Sequence, residues 1–285
     1  MPRKTIFITK ASGEKAPFSE AKLRQSLERA GADLAVIDRI VSEIENLLFD
    51  GISTKKIYGK AFSILRKDSR SVAGRYKIKQ AIIELGPSGY PFEKFVGELL
   101  KHQGYLTKVG VIIQGYCVSH EIDVVAEKDN KHFMVECKFH NRQGYKCNVK
   151  IPLYIKSRFE DVKKQWEKGE DHANKFHEGW VVTNTRFTED AIQYGKCVGL
   201  ILIAWDYPQQ GSLSDRINVS GLHPITCLTT LTKPEKKMLI DNMVVLCKEL
   251  CENPELLTEI GISESRIKRV TKEAKEICTE TNNIA

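Results

Sequence analysis

The chain has 285 residues and a net charge of +7, and 41% of its residues are hydrophobic, which is enough for two or three folded domains. No apolar run approaches the roughly 18 residues of a membrane span, and the first 15 residues lack the hydrophobic centre of a signal peptide. We therefore expect a soluble, cytoplasmic protein with no membrane partner.

Positive charge is concentrated near the start of the chain. Residues 1–88 hold 17 Lys and Arg against 10 Asp and Glu, whereas residues 89–212 hold 17 against 16 and residues 213–285 hold 10 against 11. The first segment is therefore expected to meet an anionic partner, either a nucleotide or a nucleic-acid backbone. Solvated helix faces would account equally well for any single basic residue.

Residues 1–88 predict a short hairpin followed by four helices. An alternating strand at residues 5–10 leads into a Gly-containing turn at residues 11–14. Ser19 is a typical helix N-cap, and Gly31 ends the helix that it opens. The later helices are predicted at residues 34–49, 53–67 and 71–85.

This segment is similar to the ATP-cone, a nucleotide-sensing module of ribonucleotide reductases and of their transcriptional repressor. The matching residues are Ile8-x-Lys10-x-x-Gly13, Pro17-Phe18-Ser19-x-x-Lys22-Leu23, Ile44-Glu45, Ser53-Thr54-x-x-Ile57 and Arg75-Tyr76. The resemblance implies ATP or dATP as a bound effector. A Gly turn at Gly13 admits phosphates to the backbone, and Lys10 and Lys22 would neutralise them. The alternative is a small helical domain that binds no nucleotide and only docks a partner.

The clearest linker of the chain lies at residues 86–91, where Pro and Gly forbid a continuous helix. A helix is predicted directly after it at residues 92–103, because its apolar residues recur at helical spacing and Gly104 follows. This helix carries two carboxylates, Glu93 and Glu98.

Residues 120–139 predict a β-hairpin that carries the candidate chemistry. Its two strands flank a turn in which Asp129-Asn130 suits a tight reversal. Side chains alternate along a strand, so Glu136 and Lys138 must share one face. With Asp123 on the partner strand, two carboxylates and an ammonium would meet in a poorly solvated place, which suits Mg²⁺ and a phosphate. An exposed hairpin with a solvated Glu136–Lys138 pair is the alternative.

Beyond the hairpin, strands and helices alternate, which predicts an α/β layer. Helices are expected at residues 157–176 and 187–195, and strands at residues 178–184 and 200–205. The polar stretch at residues 140–152, with Arg142, Lys146 and Lys150, could contact a DNA backbone or be an ordinary loop.

Four segments of this region occur in a recognisable order. They are F-E-x-x-V-x-x-L-L-x-x-x-G-Y at residues 92–105, I-D-V-V-A at 122–126, V-E-C-K-F at 135–139 and V-T-N-T-R-F-T at 182–188. This order resembles the Mrr-type restriction endonucleases of the PD-(D/E)XK nuclease superfamily over residues 91–206. The resemblance implies a Mg²⁺- or Mn²⁺-dependent endodeoxyribonuclease with a mixed-sheet α/β core.

The same resemblance implies a set of site residues. Asp123 and Glu136 would ligate the metal together with the Cys137 backbone carbonyl, and Lys138 would position the attacking water. Glu93 falls where related nucleases carry a helix carboxylate that completes the catalytic set. Glu98 lies about 140° further round the helix, at roughly 100° per residue, so only one of the two can face the hairpin easily. We expect that one to be Glu93.

The eight cysteines lie scattered in apolar segments, which favours buried free thiols in a reducing compartment. Cys117-x-x-His120 and Cys137-x-x-His140 look like two zinc half-sites. Residues three apart on a strand point to opposite faces, so neither pair can converge without breaking its strand. The nuclease interpretation is therefore preferred to a zinc site.

Residues 213–285 predict a mostly helical region with a long amphipathic helix at residues 232–251. The segment Leu256-Leu257-x-x-Ile260-Gly261-Ile262-Ser263, followed by Arg266-Ile267-x-x-Val270, resembles half of a helix-hairpin-helix. That resemblance implies backbone N–H groups offered to a DNA phosphate, independent of sequence. A helical cap or a dimer contact is an equal alternative.

The sequence thus predicts a multidomain α+β and α/β protein. It has an ATP-cone at residues 1–88, an Mrr-like nuclease domain at 89–212 and a helical C-terminal region at 213–285. Its predicted function is a metal-dependent DNA endonuclease regulated by ATP or dATP. A non-catalytic, nucleotide-responsive DNA-binding regulator on a nuclease scaffold is the alternative. DNA and a nucleotide are the expected partners, and assembly as a homodimer or larger homo-oligomer is open. The P-loop pattern is missing, which favours nucleotide sensing over ATP-driven motion.

Overall fold

The protein forms two compact units, one from Met1–Glu84 together with Gly221–Ala285 and the other from Leu85–Ser220. The structure is a computed structural model that describes residues 5–169 and 176–279. Where the sequence predicted three successive domains, contacts group the first and the last segments into one unit. In the described part of the chain no helix is both long enough and apolar enough to cross a membrane.

The N-terminal segment begins with a small sheet in which the first strand pairs antiparallel with the second and parallel with the third. Ser19 and Ser53 each accept a hydrogen bond from the backbone N–H three residues later, so both cap helices as the sequence predicts. The elements are β1 (Phe7–Thr9), β2 (Lys15–Pro17), α1 (Glu20–Arg29), α2 (Leu34–Leu47), β3 (Ile52–Ser53), α3 (Thr54–Asp68), α4 (Arg70–Tyr76) and α5 (Ile78–Ile83).

The predicted single helix at residues 71–85 is wrong, since α4 and α5 are separate. The Lys77 backbone nitrogen lies 3.0 Å from the Ala73 carbonyl oxygen and 3.2 Å from that of Gly74. Its N–H is therefore shared between the i−4 and i−3 carbonyls, as at the end of a helix. The apolar faces of α1, α2, α3 and α4 pack together in a core that contains the fully buried Leu27, Ile37 and Ile44.

The middle unit is a five-stranded mixed sheet with helices packed on it. Its elements are α6 (Tyr90–His102), β4 (Leu106–Gln114), β5 (Ser119–Lys128), β6 (Lys131–Lys138), β7 (Lys146–Cys147), α7 (Lys150–Trp166), β8 (Phe176–Thr183), β9 (Arg186–Phe187), α8 (Glu189–Cys197), β10 (Ile201–Ile203) and α9 (Leu213–Ser220). The strand order is β10-β8-β6-β5-β4. Strands β4, β5 and β6 run antiparallel, whereas β6, β8 and β10 are parallel. The mixed α/β core expected from the sequence is confirmed.

The hairpin of β5 and β6 has the predicted turn. Asp129 and Asn130 have φ angles of 49° and 57°, the left-handed pair that a two-residue type I′ turn requires. This turn fixes the register, with Val124 opposite Val135. The next position along the ladder sets Asp123 opposite Glu136, so the register alone makes the two carboxylates neighbours.

Helix α6 lies against β4 and β5. Its apolar stripe is buried, with Phe92 and Phe95 fully inaccessible. A methyl group added at Gly97 would come within 2.7 Å of Val109 Cγ2, so glycine allows the helix to approach the sheet closely. Helix α7 packs against β8 and α8. It begins at Lys150, earlier than the predicted residue 157, and residues 170–175 of the prediction lie outside the described residues.

The C-terminal segment is a set of short helices, and the predicted long helix at residues 232–251 is wrong. Met243 takes a left-handed φ of 63°, which ends the helix before an extended Leu246 that bridges to Pro224. The elements are a 3₁₀ turn at Ile225–Cys227 and the helices α10 (Lys233–Asp241), α11 (Cys247–Glu252), α12 (Glu255–Glu259) and α13 (Glu264–Thr279).

Within the first unit, α4 and α13 join the N-terminal and C-terminal segments. The Arg75 guanidinium donates hydrogen bonds to the Ala30 carbonyl at 2.8 Å and to the Glu276 carbonyl at 3.1 Å. A methyl group added at Gly74 would come within 2.8 Å of Ile277 Cδ1. The two segments are therefore packed directly against each other.

Candidate active site

Three elements of the middle unit bring the predicted catalytic residues together. The Cys137 N–H donates a hydrogen bond to Asp123 Oδ2 at 2.6 Å, which ties β5 to β6 at the site. Lys138 Nζ lies 2.5 Å from Glu136 Oε1, so the two side chains share one face of the strand. Glu136 is only 3% exposed, which rules out the alternative of a solvated surface pair.

The first turn of α6 adds a third carboxylate, Glu93. Burial, and then the negative charge of Asp123, raises the pKa of Glu93 to about 7. The other candidate carboxylate of this helix, Glu98, instead lies 3.7 Å from Lys101 Nζ in a surface ion pair. Glu93 is thus the carboxylate of α6 that reaches the site.

Asp123 experiences the same repulsion. Burial and the negative charge of Glu136 raise its pKa to about 6, although the Cys137 N–H and the nearby cations act in the opposite direction. Near neutral pH, two carboxyl groups of this cluster therefore hold protons more tightly than ordinary acids. Carboxylates that repel one another in a buried place are a common feature of functional sites.

The residues fit a hard divalent cation. Carboxylate and carbonyl oxygens are the ligands that Mg²⁺ prefers, and a cation among Glu93, Asp123 and Glu136 would offset the repulsion that raises their pKa values. Burial raises the pKa of the Cys137 thiol well above its usual range, so this residue can offer its backbone carbonyl but not a thiolate. This fit is one of ligand chemistry, because among residues 5–169 and 176–279 no group of three or more His, Cys, Asp or Glu side chains is already arranged to hold a metal ion.

Arg158 of α7 also reaches the site, although it was not among the residues predicted from the sequence. Its Nη1 lies 2.6 Å from Glu136 Oε2, and its Nη2 donates to the Glu121 carbonyl oxygen. The signal was present, because Arg158 falls between Ile155, Phe159 and Val162, the buried stripe of that helix. A charged residue inside an apolar stripe needs a buried partner.

The fourth matching segment supports the end of the catalytic strand. Thr183 Oγ1 donates to the Lys138 carbonyl at 2.7 Å. Asn184 bonds His140 twice, accepting from its N–H at 2.9 Å and donating to its carbonyl at 2.8 Å. These contacts fix the backbone that presents Lys138, which explains why this segment accompanies the site.

The two zinc half-sites are not formed by the residues that the spacing suggested. His120 Nε2 lies 2.8 Å from Asp161 Oδ2, and His140 Nε2 lies 3.2 Å from Cys147 Sγ. Cys117 is exposed and Cys137 is buried beside Asp123. Each histidine therefore has a contact other than the cysteine three residues before it.

The residues predicted to bind a nucleotide lie in two places of the N-terminal segment. Lys10 and Gly13 form the β1–β2 turn, where the Gly13 N–H donates to the Lys10 carbonyl at 2.9 Å and Gly13 has a φ of 84°. Lys10 Nζ is 3.1 Å from Glu14 Oε2. Lys22 lies in the first turn of α1 and is exposed. Their nucleotide-binding role stays a prediction.

Three family models match consecutive parts of the chain. An ATP cone domain matches residues 6–83, a restriction endonuclease domain of the Mrr type matches residues 86–207, and a domain described as AF1548-like, C-terminal, matches residues 223–278. The boundaries of the middle match enclose α6, the hairpin and α7. The predicted fusion of an ATP-cone with an Mrr-type domain is confirmed.

Two comparisons, one of sequence and one of structure, each match about two thirds of this chain. An uncharacterized protein of Archaeoglobus fulgidus is 38% identical over 183 residues, which cover 64% of this chain and 99% of that protein. The crystal structure of AF1548, a protein of unknown function, aligns with a TM-score of 0.56 and 36% identity, over 68% of this chain and 100% of the other. The chain therefore belongs to the same family as the uncharacterized Archaeoglobus fulgidus protein, and it carries an Mrr-type restriction endonuclease-like domain between an ATP cone domain and an AF1548-like C-terminal domain.

Proposed function

We propose that this protein is a Mg²⁺- or Mn²⁺-dependent DNA endonuclease whose activity responds to ATP or dATP bound by its N-terminal segment. The observation that carries the proposal is the convergence of Asp123, Glu136 and Lys138 on one face of a buried hairpin. A hairpin that served only as a scaffold would gain nothing from carboxylates whose charges repel one another.

Asp123 and Glu136, with the Cys137 carbonyl, would hold the metal ion. When bound, it would polarise the phosphate and neutralise the charge that develops there. Lys138 is partly exposed, with 26% of its side chain accessible, so its ammonium can donate a hydrogen bond to a water molecule beside Glu136. Glu93, in the first turn of α6 and close to Asp123 and Glu136, would take the proton from that water as it attacks phosphorus. The phosphorus–oxygen bond opposite the water then breaks, and the leaving oxygen takes up a proton from solvent water.

The basic N-terminal segment supports the nucleotide part of the proposal. The β1–β2 turn combines a glycine in the left-handed conformation with an adjacent lysine, an arrangement that lets phosphate oxygens approach backbone N–H groups. Binding that differs between two states of the protein would shift their populations and so change the rate of cleavage.

The catalytic proposal is tested with supercoiled plasmid, Mg²⁺ or Mn²⁺, and the full chain. We expect Glu136→Ala and Lys138→Ala each to slow nicking by about 1000-fold, since each removes a group that acts on the reacting atoms. Glu98→Ala and Lys101→Ala are matched controls, because they remove the same residue types from a surface ion pair of the same unit. Unchanged cutting by the first two variants would rule out this assignment of Glu136 and Lys138.

The nucleotide proposal is tested separately by titrating a fluorescent ATP analogue into the protein, without DNA or cleavage. Lys10→Ala should weaken binding by roughly 5–10-fold, about 1 kcal/mol for one charged contact to a phosphate. Lys15→Ala is the control, because this exposed lysine follows the same turn on β2. Equal affinities for the two variants would remove Lys10 from the binding site.

A further inference from the structure

Arg158 has a place at the site that the metal and water roles leave unexplained. It reaches Glu136 from α7 with Nη1 at 2.6 Å from Oε2, while Lys138 takes the other oxygen, Oε1, at 2.5 Å. A single buried carboxylate is thereby contacted by two cations. A structural ion pair needs only one of them.

The burial of these groups makes the second cation costly unless it serves another anion. The Arg158 side chain is 12% exposed and that of Glu136 is 4% exposed. Taking an ion out of water costs several kcal/mol, which a shared partner offsets only in part. Arg158 and Lys138 together supply two cations to a cluster of three carboxylates, and a metal ion held by those carboxylates would leave both cations available to contact a phosphate.

The guanidinium is held in a fixed position on two sides. Nη2 donates to the Glu121 backbone carbonyl, and the Tyr154 ring, one turn earlier on α7, lies 5.5 Å from the guanidinium carbon. Tyr154 is 59% exposed, so this end of the group borders solvent. A guanidinium has five N–H donors in a rigid fork, and the two contacts above leave donors for a planar, bidentate contact to an anion.

We propose that Arg158 binds the phosphate that is cleaved, on the side of Glu136 away from Lys138. The inference rests on the proposed nuclease function and names the substrate contact of the same site. As water adds to phosphorus, negative charge increases on the non-bridging oxygens, and the Arg158 guanidinium stabilises it. DNA binding and metal binding are then distinct tasks, given to Arg158 and to the carboxylates respectively.

Cleavage by Arg158→Ala and Arg158→Gln is compared with wild type and with Arg186→Ala. Arg186 is the matched control, because it pairs with Asp206 on the surface of the same unit. We expect about a 100-fold loss of the cleavage rate in both Arg158 variants and no loss in the control. Wild-type cutting by both Arg158 variants would overturn the inference while leaving the nuclease proposal intact. If Arg158→Ala loses its thermal unfolding transition, Arg158→Gln alone decides, since it keeps much of the side-chain volume.

A second measurement separates phosphate binding from mere positioning of Glu136. Calorimetric titration of the DNA-free protein with Mn²⁺ should show equal or tighter binding in Arg158→Gln, because a cation that competes near Glu136 has been removed. A positioning residue would instead give weaker Mn²⁺ binding, and that result would overturn the proposal. Guanidinium ion at low, non-denaturing concentration should restore cleavage to Arg158→Ala and not to Glu136→Ala.

A binding measurement tests the Arg158 contact even if the wild-type protein cuts no DNA, a result that would end the nuclease proposal. Duplex DNA affinity with Ca²⁺ is then compared between wild type and Arg158→Gln. Weaker binding by at least several-fold supports a phosphate contact at Arg158. Equal affinity overturns it.

Discussion

The two units of this protein each bury a carboxylate, and they treat it in opposite ways. Glu273 of α13 is 3% exposed and accepts four hydrogen bonds, from the N–H and hydroxyl groups of Thr229 and Thr230, at 2.6–2.9 Å. In the middle unit Glu136 is equally buried, yet it lies beside Asp123 and Glu93, whose pKa values rise to about 6 and about 7.

This contrast shows that burial of an acid is not by itself a sign of function. The charge of Glu273 is distributed over four short hydrogen bonds, so the protein uses it as a brace between α13 and the residues 229–230. Repulsion among the carboxylates of the hairpin stabilises nothing in the metal-free protein. A cation bound among these carboxylates would offset that repulsion.

The largest effect is expected at the brace. Glu273→Ala leaves the backbone N–H groups of Thr229 and Thr230 without their acceptor, which should lower the free energy of unfolding by about 3 kcal/mol. Glu276→Ala, one turn away on the same helix and 42% exposed, should change it by less than about 0.5 kcal/mol.

The measurement uses the distribution of tryptophan in the sequence. Trp166, Trp180 and Trp205, the three tryptophans of the chain, all belong to the middle unit. Glu273→Ala should move the urea transition seen by far-UV circular dichroism to lower urea while the tryptophan fluorescence transition stays in place. A Glu273 variant as stable as wild type by both probes would mean that the carboxylate is no brace.

The contrast also shows what sequence alone could and could not predict. Alternation along a strand and an Asp-Asn turn are local signals, so the hairpin and the meeting of Asp123, Glu136 and Lys138 were within reach. Arg158 was missed because α7 begins seven residues earlier than predicted, so the sequence pattern did not show which face of the helix is buried.

Other errors have physical reasons of the same kind. The break of the predicted helix at residues 232–251 depends on a left-handed Met243, and methionine gives no local sign of that conformation. The packing of α4 against α13 joins residues some 200 positions apart, such as Arg75 and Glu276. The hydrophobic periodicity of a single helix does not indicate which distant helix it contacts. Local patterns therefore predicted the site better than the assembly of the unit that accompanies it.

A smaller effect of opposite sign is expected from Asp123→Asn. Because the folded pKa of Asp123 is raised from 3.8 to about 6, its ionised form costs stability at every pH above 6 and costs nothing below about 4, where it is protonated in both states. Asparagine removes that cost and still accepts the Cys137 N–H. The metal-free variant should therefore be more stable than wild type by about 2 kcal/mol at pH 8, at about 1.4 kcal/mol per pKa unit with some solvent screening.

Thermal unfolding in EDTA measures this gain, with Asp190→Asn as the control because Asp190 is an exposed acid of the same unit. Adding Mn²⁺ should raise the unfolding temperature of wild type at pH 8 and leave that of Asp123→Asn nearly unchanged, since a ligand stabilises only the state that binds it. A destabilised Asp123→Asn protein, or an equal response to Mn²⁺, would contradict the assignment of repulsion and metal binding to this carboxylate.

The smallest expected effect concerns the pH dependence of cleavage. At Mg²⁺ well below saturation, the carboxylates must lose their protons before the ion binds, so the wild-type rate should fall as pH falls through about 7, the pKa of Glu93. Glu93→Gln removes this group, and the remaining descent should follow Asp123, whose pKa lies at about 6. The midpoint should therefore move down by about one pH unit, on top of a lower plateau, because glutamine takes no proton from the attacking water. Glu98→Gln, on the same helix but paired with Lys101, should keep the wild-type midpoint. If Glu93→Gln kept that midpoint as well, Glu93 would not control the pH dependence of cleavage. The reaction would then depend on Asp123 and Glu136 alone.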